Sequence, residues 1–372
     1  MWVGARDRVR ADASDRRELD RRLERFHSVS LERVLGEIAY LRDTGDTVLA
    51  GGSLAYGLGN GLSDLDLIIS GPSTTESSRV PLEHFVGTLR VDVWKLAQDL
   101  IEGSFARAED ALADDQAIHG SFGDIDHEDE LKLLHRITWG VVIDGEGLEF
   151  GRQLDHRRVA ADLVVREYVE RMRSTALLAQ VSLLARRPIA AVANARLAIE
   201  SGLNAAVVGR GFPFSGDKWL RQRLLVDCPD LASLYAPFAR LPSDPASEAG
   251  SFVSQAVDVC EDLLGCDLDL EAVLTVANWR NTDLRFTKIG PDRLLLSTGF
   301  GALWELQEHE AEAWQRLVAL GAEEPGADWG LGSCDEAALT LCLRLHELGA
   351  LELRWNTGVP LSALRNRPRA EV

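Results

Sequence analysis

The segment 49–69 constrains the fold of this 372-residue chain more than any other part of the sequence. An apolar run leads into residues 51–53, Gly-Gly-Ser, a glycine-rich turn follows, and a second apolar run carries Asp64 and Asp66. Side chains at positions i and i+2 of a β-strand point to the same face, so both carboxylates are predicted to project together while the leucines next to Asp66 face the core. The segment therefore predicts two strands joined by a glycine turn, with two acids on one face.

The paired carboxylates also indicate a chemistry. Two acids this close do not both stay ionised unless a cation compensates their charge. Hard oxygen ligands suit Mg²⁺, which keeps some water ligands and also takes phosphate oxygens. A third acid, Asp92, lies within the strand-like run 90–94, and an adjacent antiparallel strand is expected to bring it beside Asp64 and Asp66. The pattern has a second interpretation, in which these acids only line a polar strand edge.

This arrangement resembles the nucleotidyltransferase superfamily of the DNA polymerase beta type. The family pattern is an apolar residue, Gly, Gly or Ser, about ten further residues and Asp-x-Asp, with a third carboxylate on a later strand. In this sequence Gly52 and Ser53 match the first element, and ten residues separate Ser53 from Asp64. Asp64 and Asp66 match the second element, and Asp92 matches the third.

The resemblance implies an αβ catalytic domain with a short mixed sheet. It also implies two Mg²⁺ ions held by Asp64, Asp66 and Asp92, and transfer of a nucleoside monophosphate from a nucleoside triphosphate, with ATP among the candidates. Gly52 and Ser53 would bind the triphosphate, and Asp92 would also help to deprotonate the acceptor. Such metal pairs clamp the attacking and leaving oxygens of an in-line displacement. The implied acceptor is a hydroxyl or phosphate of a small molecule or peptide, in natural-product biosynthesis or antibiotic modification.

Residues 157–264 are rich in Ala, Leu, Val and Arg and predict helices. They resemble the helical second domain of small-molecule nucleotidyltransferases such as those that modify aminoglycosides. Lys218 is then placed to hold the triphosphate as a point charge; the alternative is a surface lysine beside Trp219. Arg196 either reaches the cleft or pairs with Glu200 at i+4, and the pair is favoured.

The C-terminal part is predicted to contain strands at 284–289, 293–297, 302–306 and 351–355, with two helices before the last strand. This order is similar to the winged-helix proteins that recognise precursor peptides in ribosomal-peptide pathways, where a peptide adds to a sheet edge. A generic winged helix and a plain capping domain fit equally well. The alternative function is a catalytically inactive nucleotidyltransferase-fold protein that binds or regulates through this peptide-binding module.

The predicted fold class is α+β, with a nucleotidyltransferase catalytic domain over 1–155, a helical substrate and nucleotide-cleft domain over 156–270 and a winged-helix-like domain over 271–372. In the first domain, strands are predicted at 47–50, 65–70, 89–96 and 140–144. A helix over 30–43 is predicted with Ser30 as its N-cap. The first 25 or so residues are highly charged and predict a solvated helix or a frayed arm.

Charge and hydropathy exclude several function classes. Fifty-nine acidic residues against forty basic ones give a net charge of −19, which repels a phosphate backbone. A nucleic-acid partner and template-directed polymerisation are therefore disfavoured. The longest apolar stretch, 176–185, is interrupted by Gln180 and Ser182 and falls short of the ~20 residues of a membrane span. The N-terminus has no signal-peptide core, so we expect a cytoplasmic protein with no membrane partner.

Overall fold

The computed structural model describes residues 13–71, 74, 77, 80–113, 127–145, 154–212, 217–265, 268, 274–277, 285–288, 294–297, 303–319, 328–329, 334–347 and 352–355. Its contacts divide the chain into two compact units. Unit 1 comprises Met1–Glu167 and Asn204–Ala232, and unit 2 comprises Tyr168–Leu203 and Ser233–Val372. The mixture of helices and sheets confirms the α+β class, and the three predicted domains stay a prediction.

Unit 1 contains a five-stranded mixed sheet. Its strands are β1 (Thr47–Gly51), β2 (Leu65–Ser70), β3 (Leu82–Val86), β4 (Leu89–Lys95) and β5 (Val141–Asp144), in the spatial order β3-β4-β2-β1-β5. Strands β2 and β4 are parallel, and the other neighbours are antiparallel. Four strands confirm the predicted runs. Strand β3 was not predicted, because most of its side chains are exposed and its sequence has no clear apolar pattern.

Alternation along β2 decides which side chains enter the core. Leu65, Leu67 and Ile69 belong to one buried cluster with residues of β1, β4 and the N-terminal helices. Asp66 lies between these positions and therefore projects from the opposite face of the sheet. The helices that cover the apolar face thus leave the acidic face to other elements.

The N-terminal helices are α1 (Ala13–His27) and α2 (Leu31–Glu37). The prediction of a solvated or frayed N-terminal segment is wrong for α1, because Leu19 and Leu23, at i and i+4, are fully buried. The part of the predicted N-terminal segment that precedes residue 13 lies outside the described residues. The Ser30 N-cap is confirmed, since its Oγ accepts a hydrogen bond from the Arg33 backbone N–H at 3.2 Å. Helix α2 ends earlier than predicted and is followed by a 3₁₀ turn, Ala39–Leu41.

The remaining helices up to residue 265 are α3 (Gly52–Ala55), α4 (Gln98–Ala113), α5 (His127–Trp139), α6 (Leu154–Leu184), α7 (Pro188–Gly209), α8 (Leu220–Val226), α9 (Pro229–Tyr235) and α10 (Pro245–Leu264). The helical character predicted for 157–264 is therefore confirmed. Among the described segments, we find no helix whose length and apolar content would let it cross a bilayer.

The C-terminal part of unit 2 contains two three-stranded antiparallel sheets. One has the order β10 (Asp328–Trp329), β6 (Leu274–Ala277) and β11 (Glu352–Trp355). The other contains β7 (Arg285–Lys288), β8 (Leu294–Ser297) and β9 (Leu303–Leu306), and helices α11 (Glu308–Ala319) and α12 (Glu336–Glu347) follow it along the chain. The four predicted strands and two helices are confirmed, while β6 and β10 were not predicted.

Candidate active site

The glycine turn after β1 brings backbone directly against a carboxylate. Gly52 begins α3 with a φ of +75°, a conformation that favours glycine. A Cβ added to Gly52 would overlap Oδ2 of Asp66, and Gly51 is paired with Asp66 in the sheet. The Ser53 carbonyl accepts the backbone N–H groups of Leu58 and Gly59 at 2.9 and 2.8 Å, which closes the following turn. The turn and the Asp66 carboxylate are therefore in direct contact.

Two of the predicted carboxylates lie side by side. Asp66 on β2 and Asp92 on β4 are register partners, and both are buried. Asp64 is half-buried and lies directly before β2. The predicted antiparallel pairing of these strands is wrong: β4 is the antiparallel hairpin partner of β3, and it runs parallel to β2. The register nevertheless places Asp92 beside Asp66.

Each buried carboxylate has an arginine partner. Arg90 binds Asp92 with both arms of its guanidinium, Nε to Oδ1 at 2.8 Å and Nη2 to Oδ2 at 3.0 Å. Arg136, near the end of α5, donates Nη2 to Oδ1 of Asp66 at 3.2 Å, and its guanidinium carbon lies 4.4 Å from the Trp94 ring centroid. Sequence reasoning assigned neither arginine to these acids, because the pairs depend on strand register and on where α5 ends.

The electrostatics of Asp66 show that its arginine does not fully compensate the site. Burial raises the pKa of Asp66 to about 6, from an ordinary value of 3.8. Arg136 lowers that pKa, whereas the negative charges of Asp64 and Asp92 raise it further. A cation placed among these acids would stabilise the ionised form of Asp66.

Aromatic residues pack beside the turn. The Tyr56 hydroxyl lies 3.4 Å from Nδ1 of His135, and the His135 ring stacks on Trp139 with centroids 4.7 Å apart. Burial raises the pKa of Tyr56. Burial, together with the charges of Arg136 and Arg223, holds the pKa of His135 well below its usual value. Both side chains are therefore neutral near pH 7, and they pack against each other beside the turn without adding charge to it.

Lys218 is exposed, in the 3₁₀ turn Asp217–Trp219. Its Nζ lies 5.0 Å from the ring centroid of the neighbouring Trp219, and its described contacts do not include the turn or the carboxylates. The buried cation of the following helix is Arg223, which donates Nη1 to Asp227 at 2.6 Å. Arg223 was not singled out in the sequence, because burial of one arginine in a short helix has no local signature.

The donor set fits Mg²⁺ held jointly by protein and substrate. Within the described ranges, no group of three or more His, Cys, Asp or Glu side chains is arranged to hold a metal ion by itself. Mg²⁺ is usually bound by one or two carboxylates and completes its shell with water and substrate phosphate. Asp66 and Asp92 supply hard oxygens from adjacent strands, and the Asp66 carboxylate occupies the space that a side chain at Gly52 would take.

Comparisons with known proteins do not establish a family. No protein-family model matches the chain, and no curated protein matches it. Among solved structures, the chain is similar to the crystal structure of a nucleotidyltransferase-like protein from Exiguobacterium sibiricum 255-15. The identity is 12%, the match covers 66% of this chain and 76% of that chain, and the TM-score is 0.29. A score this low leaves the functional assignment to the residues of this chain.

Proposed function

We propose that this protein is a Mg²⁺-dependent nucleotidyltransferase. It transfers a nucleoside monophosphate from a nucleoside triphosphate to a hydroxyl or phosphate of a small molecule or peptide, and releases pyrophosphate. The contact of the Asp66 carboxylate with the bare Cα of Gly52, one strand away from Asp92, carries the proposal. A phosphate bound at this turn would lie beside the carboxylates that hold its counter-ions.

The proposed roles follow from position. Asp64, Asp66 and Asp92 hold the metal, and Gly52 and Ser53 bind the triphosphate through backbone N–H groups and the serine hydroxyl. When bound, two Mg²⁺ ions would supply charge stabilisation for the transferred phosphoryl group and the leaving pyrophosphate. Arg136, stacked on Trp94, orients the Asp66 carboxylate. Lys218, which is exposed, contacts the negatively charged triphosphate from the solvent side.

We also propose ATP as one accepted triphosphate and, as the acceptor, a compound of natural-product biosynthesis or an antibiotic. The proposed location is the cytoplasm. The arrangement of β7–β9 with α11 and α12 is proposed to be winged-helix-like. The strand and helix order supports this last assignment, because it follows the order of the predicted module.

The test is incubation with each of the four nucleoside triphosphates, Mg²⁺ and hydroxyl- or phosphate-bearing acceptors. Mass spectrometry detects the added nucleotide, and a coupled assay detects pyrophosphate. Asp66→Asn should lower turnover by about two to three orders of magnitude, as loss of one charge-stabilising group typically does. Asp110→Asn, an exposed acid on α4, is the matched control and should keep full turnover. Undiminished turnover in Asp66→Asn would overturn the assignment.

One observation favours a second candidate, an inactive binding or regulatory protein on this fold. Arg90 and Arg136 already pair with Asp92 and Asp66, as expected if the acids had become structural. In the part of the chain that the structure describes, β7 and β9 are the edge strands of the β7-β8-β9 sheet, and a peptide could add to either. Calorimetric titration with a triphosphate separates the candidates, because only the enzyme should bind it more tightly with Mg²⁺.

A further inference from the structure

A row of three acids crosses the acidic face of the sheet. Glu83 on β3 is the register partner of Asp92 on β4, and Asp92 is the register partner of Asp66 on β2. Arg90 precedes Asp92 by two residues, so both project from the same face. The Nη2 of Arg90 lies 3.0 Å from Oδ2 of Asp92 and 2.8 Å from Oε1 of Glu83. One guanidinium is therefore shared between two carboxylates.

The two carboxylates that share Arg90 differ in burial. The Asp92 side chain is 7% exposed, whereas the side chains of Glu83 and Arg90 are 54% and 45% exposed. Arg90 can therefore leave Asp92 for Glu83 and solvent without a charge being buried. The buried acid is the one that gains most from a replacement cation, because interactions between charges strengthen as water is removed.

The oxygens of the two buried acids are also used differently. Arg90 engages both oxygens of Asp92, so a metal ligated there must either share an oxygen with the guanidinium, at the cost of charge repulsion, or displace one of its hydrogen bonds. Arg136 engages only Oδ1 of Asp66, while Oδ2 faces Gly52. Asp66 therefore has one oxygen that no described arginine engages, whereas a cation at Asp92 always meets the charge of Arg90 unless Arg90 moves.

We infer that Arg90 is an internal counter-ion that competes with a divalent cation for Asp92, and that Glu83 retains Arg90 when the cation binds. This inference rests on the proposed function, since it concerns the same carboxylates. Arg90 and Glu83 are positioning residues: they set how readily Asp92 becomes a ligand. Their effect should therefore appear in metal binding before any turnover occurs.

The test is calorimetric titration of the full chain with Mn²⁺, for the wild type, Arg90→Gln, Glu83→Gln and the double variant. Arg90→Gln should tighten Mn²⁺ binding about three- to tenfold, and Glu83→Gln should weaken it by a similar factor. The double variant should bind as Arg90→Gln does, because Glu83 acts only through Arg90. If the charges of Arg90 and Glu83 instead acted on the bound cation independently, their effects on Mn²⁺ affinity would be additive. The double variant would then bind Mn²⁺ about as tightly as the wild type.

Arg90→Lys provides a control that keeps the charge. Lysine has no planar fork to engage both oxygens of Asp92, so it should tighten Mn²⁺ binding although the net charge is unchanged. Unchanged or weaker binding by Arg90→Lys, or additivity in the double variant, overturns this inference and leaves the proposed function intact. If none of the five proteins binds Mn²⁺, the proposed metal-dependent function fails and this inference fails with it. Circular dichroism checks that each variant is folded.

Discussion

Two carboxylate–arginine pairs, one in each unit, show how differently the same ion pair can be used. In unit 2, Arg196 and Glu200 lie one turn apart on α7, with Nε 2.9 Å from Oε1. The Tyr235 hydroxyl donates to the same carboxylate oxygen at 3.0 Å. In unit 1, Arg136 reaches Asp66 from α5 with a single nitrogen at 3.2 Å.

The two pairs differ in charge balance. The Arg196 pair confirms the i+4 prediction, and the hydrogen bond to Glu200 is the main cause that raises the pKa of Arg196. At Asp66, burial and two neighbouring acids outweigh Arg136 and leave the pKa of the carboxyl at about 6. A balanced pair stabilises its helix, whereas an acid-rich cluster is costly to ionise and gains from an added cation. This excess of acids distinguishes the Asp66 cluster from the structural ion pair on α7.

The largest expected effect is a pH dependence of stability that arises at Asp66. Its pKa of about 6 in the folded protein is above the unfolded value, so the group stabilises the fold below pH ~4 and that contribution is lost as the pH rises through 6. In metal-free buffer, the free energy of unfolding of the wild type relative to Asp66→Asn should fall by about 3 kcal/mol between pH 3 and pH 7, since one pKa unit corresponds to about 1.4 kcal/mol. Urea unfolding at several pH values measures this difference.

Arg136→Met sharpens the same measurement. Arg136 lowers the pKa of Asp66, so its removal should move the pH-dependent loss to higher pH. If the difference in unfolding free energy between the wild type and Asp66→Asn instead proves independent of pH over this range, the Asp66 pair is as balanced as the pair on α7. The contrast between the two units would then disappear.

The second prediction concerns how closely backbone approaches the acids. Gly52→Ala should destabilise unit 1 by more than the roughly 1–2 kcal/mol of a left-handed non-glycine residue, because its Cβ also displaces the Asp66 carboxylate. Gly250→Ala, on α10 in unit 2, is the matched change: apart from its chain neighbours and the adjacent backbone of its own helix, no atom of the described residues lies within 4 Å of the added Cβ. It should stabilise the protein by about 1 kcal/mol. Thermal unfolding of both variants gives the comparison, and equal effects would contradict it.

The parts of the site that the sequence predicts are local ones. Gly52, Ser53, Asp64 and Asp66 lie within one strand–turn–strand segment, so spacing and alternation are enough to identify them. Asp92 was identifiable because an acid inside an apolar strand is unusual. The direction of β4 could not be predicted, because it depends on the exposed strand β3, which has little hydrophobic pattern.

The arginine partners of these acids could not be predicted from the sequence, for a different reason. Arg90 meets Glu83 through strand register, and Arg136 meets Asp66 across 70 residues of sequence. Helix α1 shows a similar limit: its many charges indicate solvent, yet two leucines one turn apart bury one face. Local patterns predict elements and motifs, whereas charge compensation depends on the assembled fold.

The smallest expected effect tests whether the difference between the units is confined to the acids. Ser30 caps α2 in unit 1, and Asp244 caps α10 in unit 2 by accepting the Ala246 backbone N–H at 3.2 Å. Ser30→Ala and Asp244→Ala should each lower the free energy of unfolding by about 1 kcal/mol, the usual contribution of an N-cap. Chemical denaturation measures both. Similar losses mean that ordinary local interactions contribute alike in both units, so the unusual electrostatics belong to the carboxylate cluster. A much larger loss at Ser30 would mean that ordinary local interactions also contribute differently in the two units, and the pH dependence assigned to Asp66 would then need a broader cause.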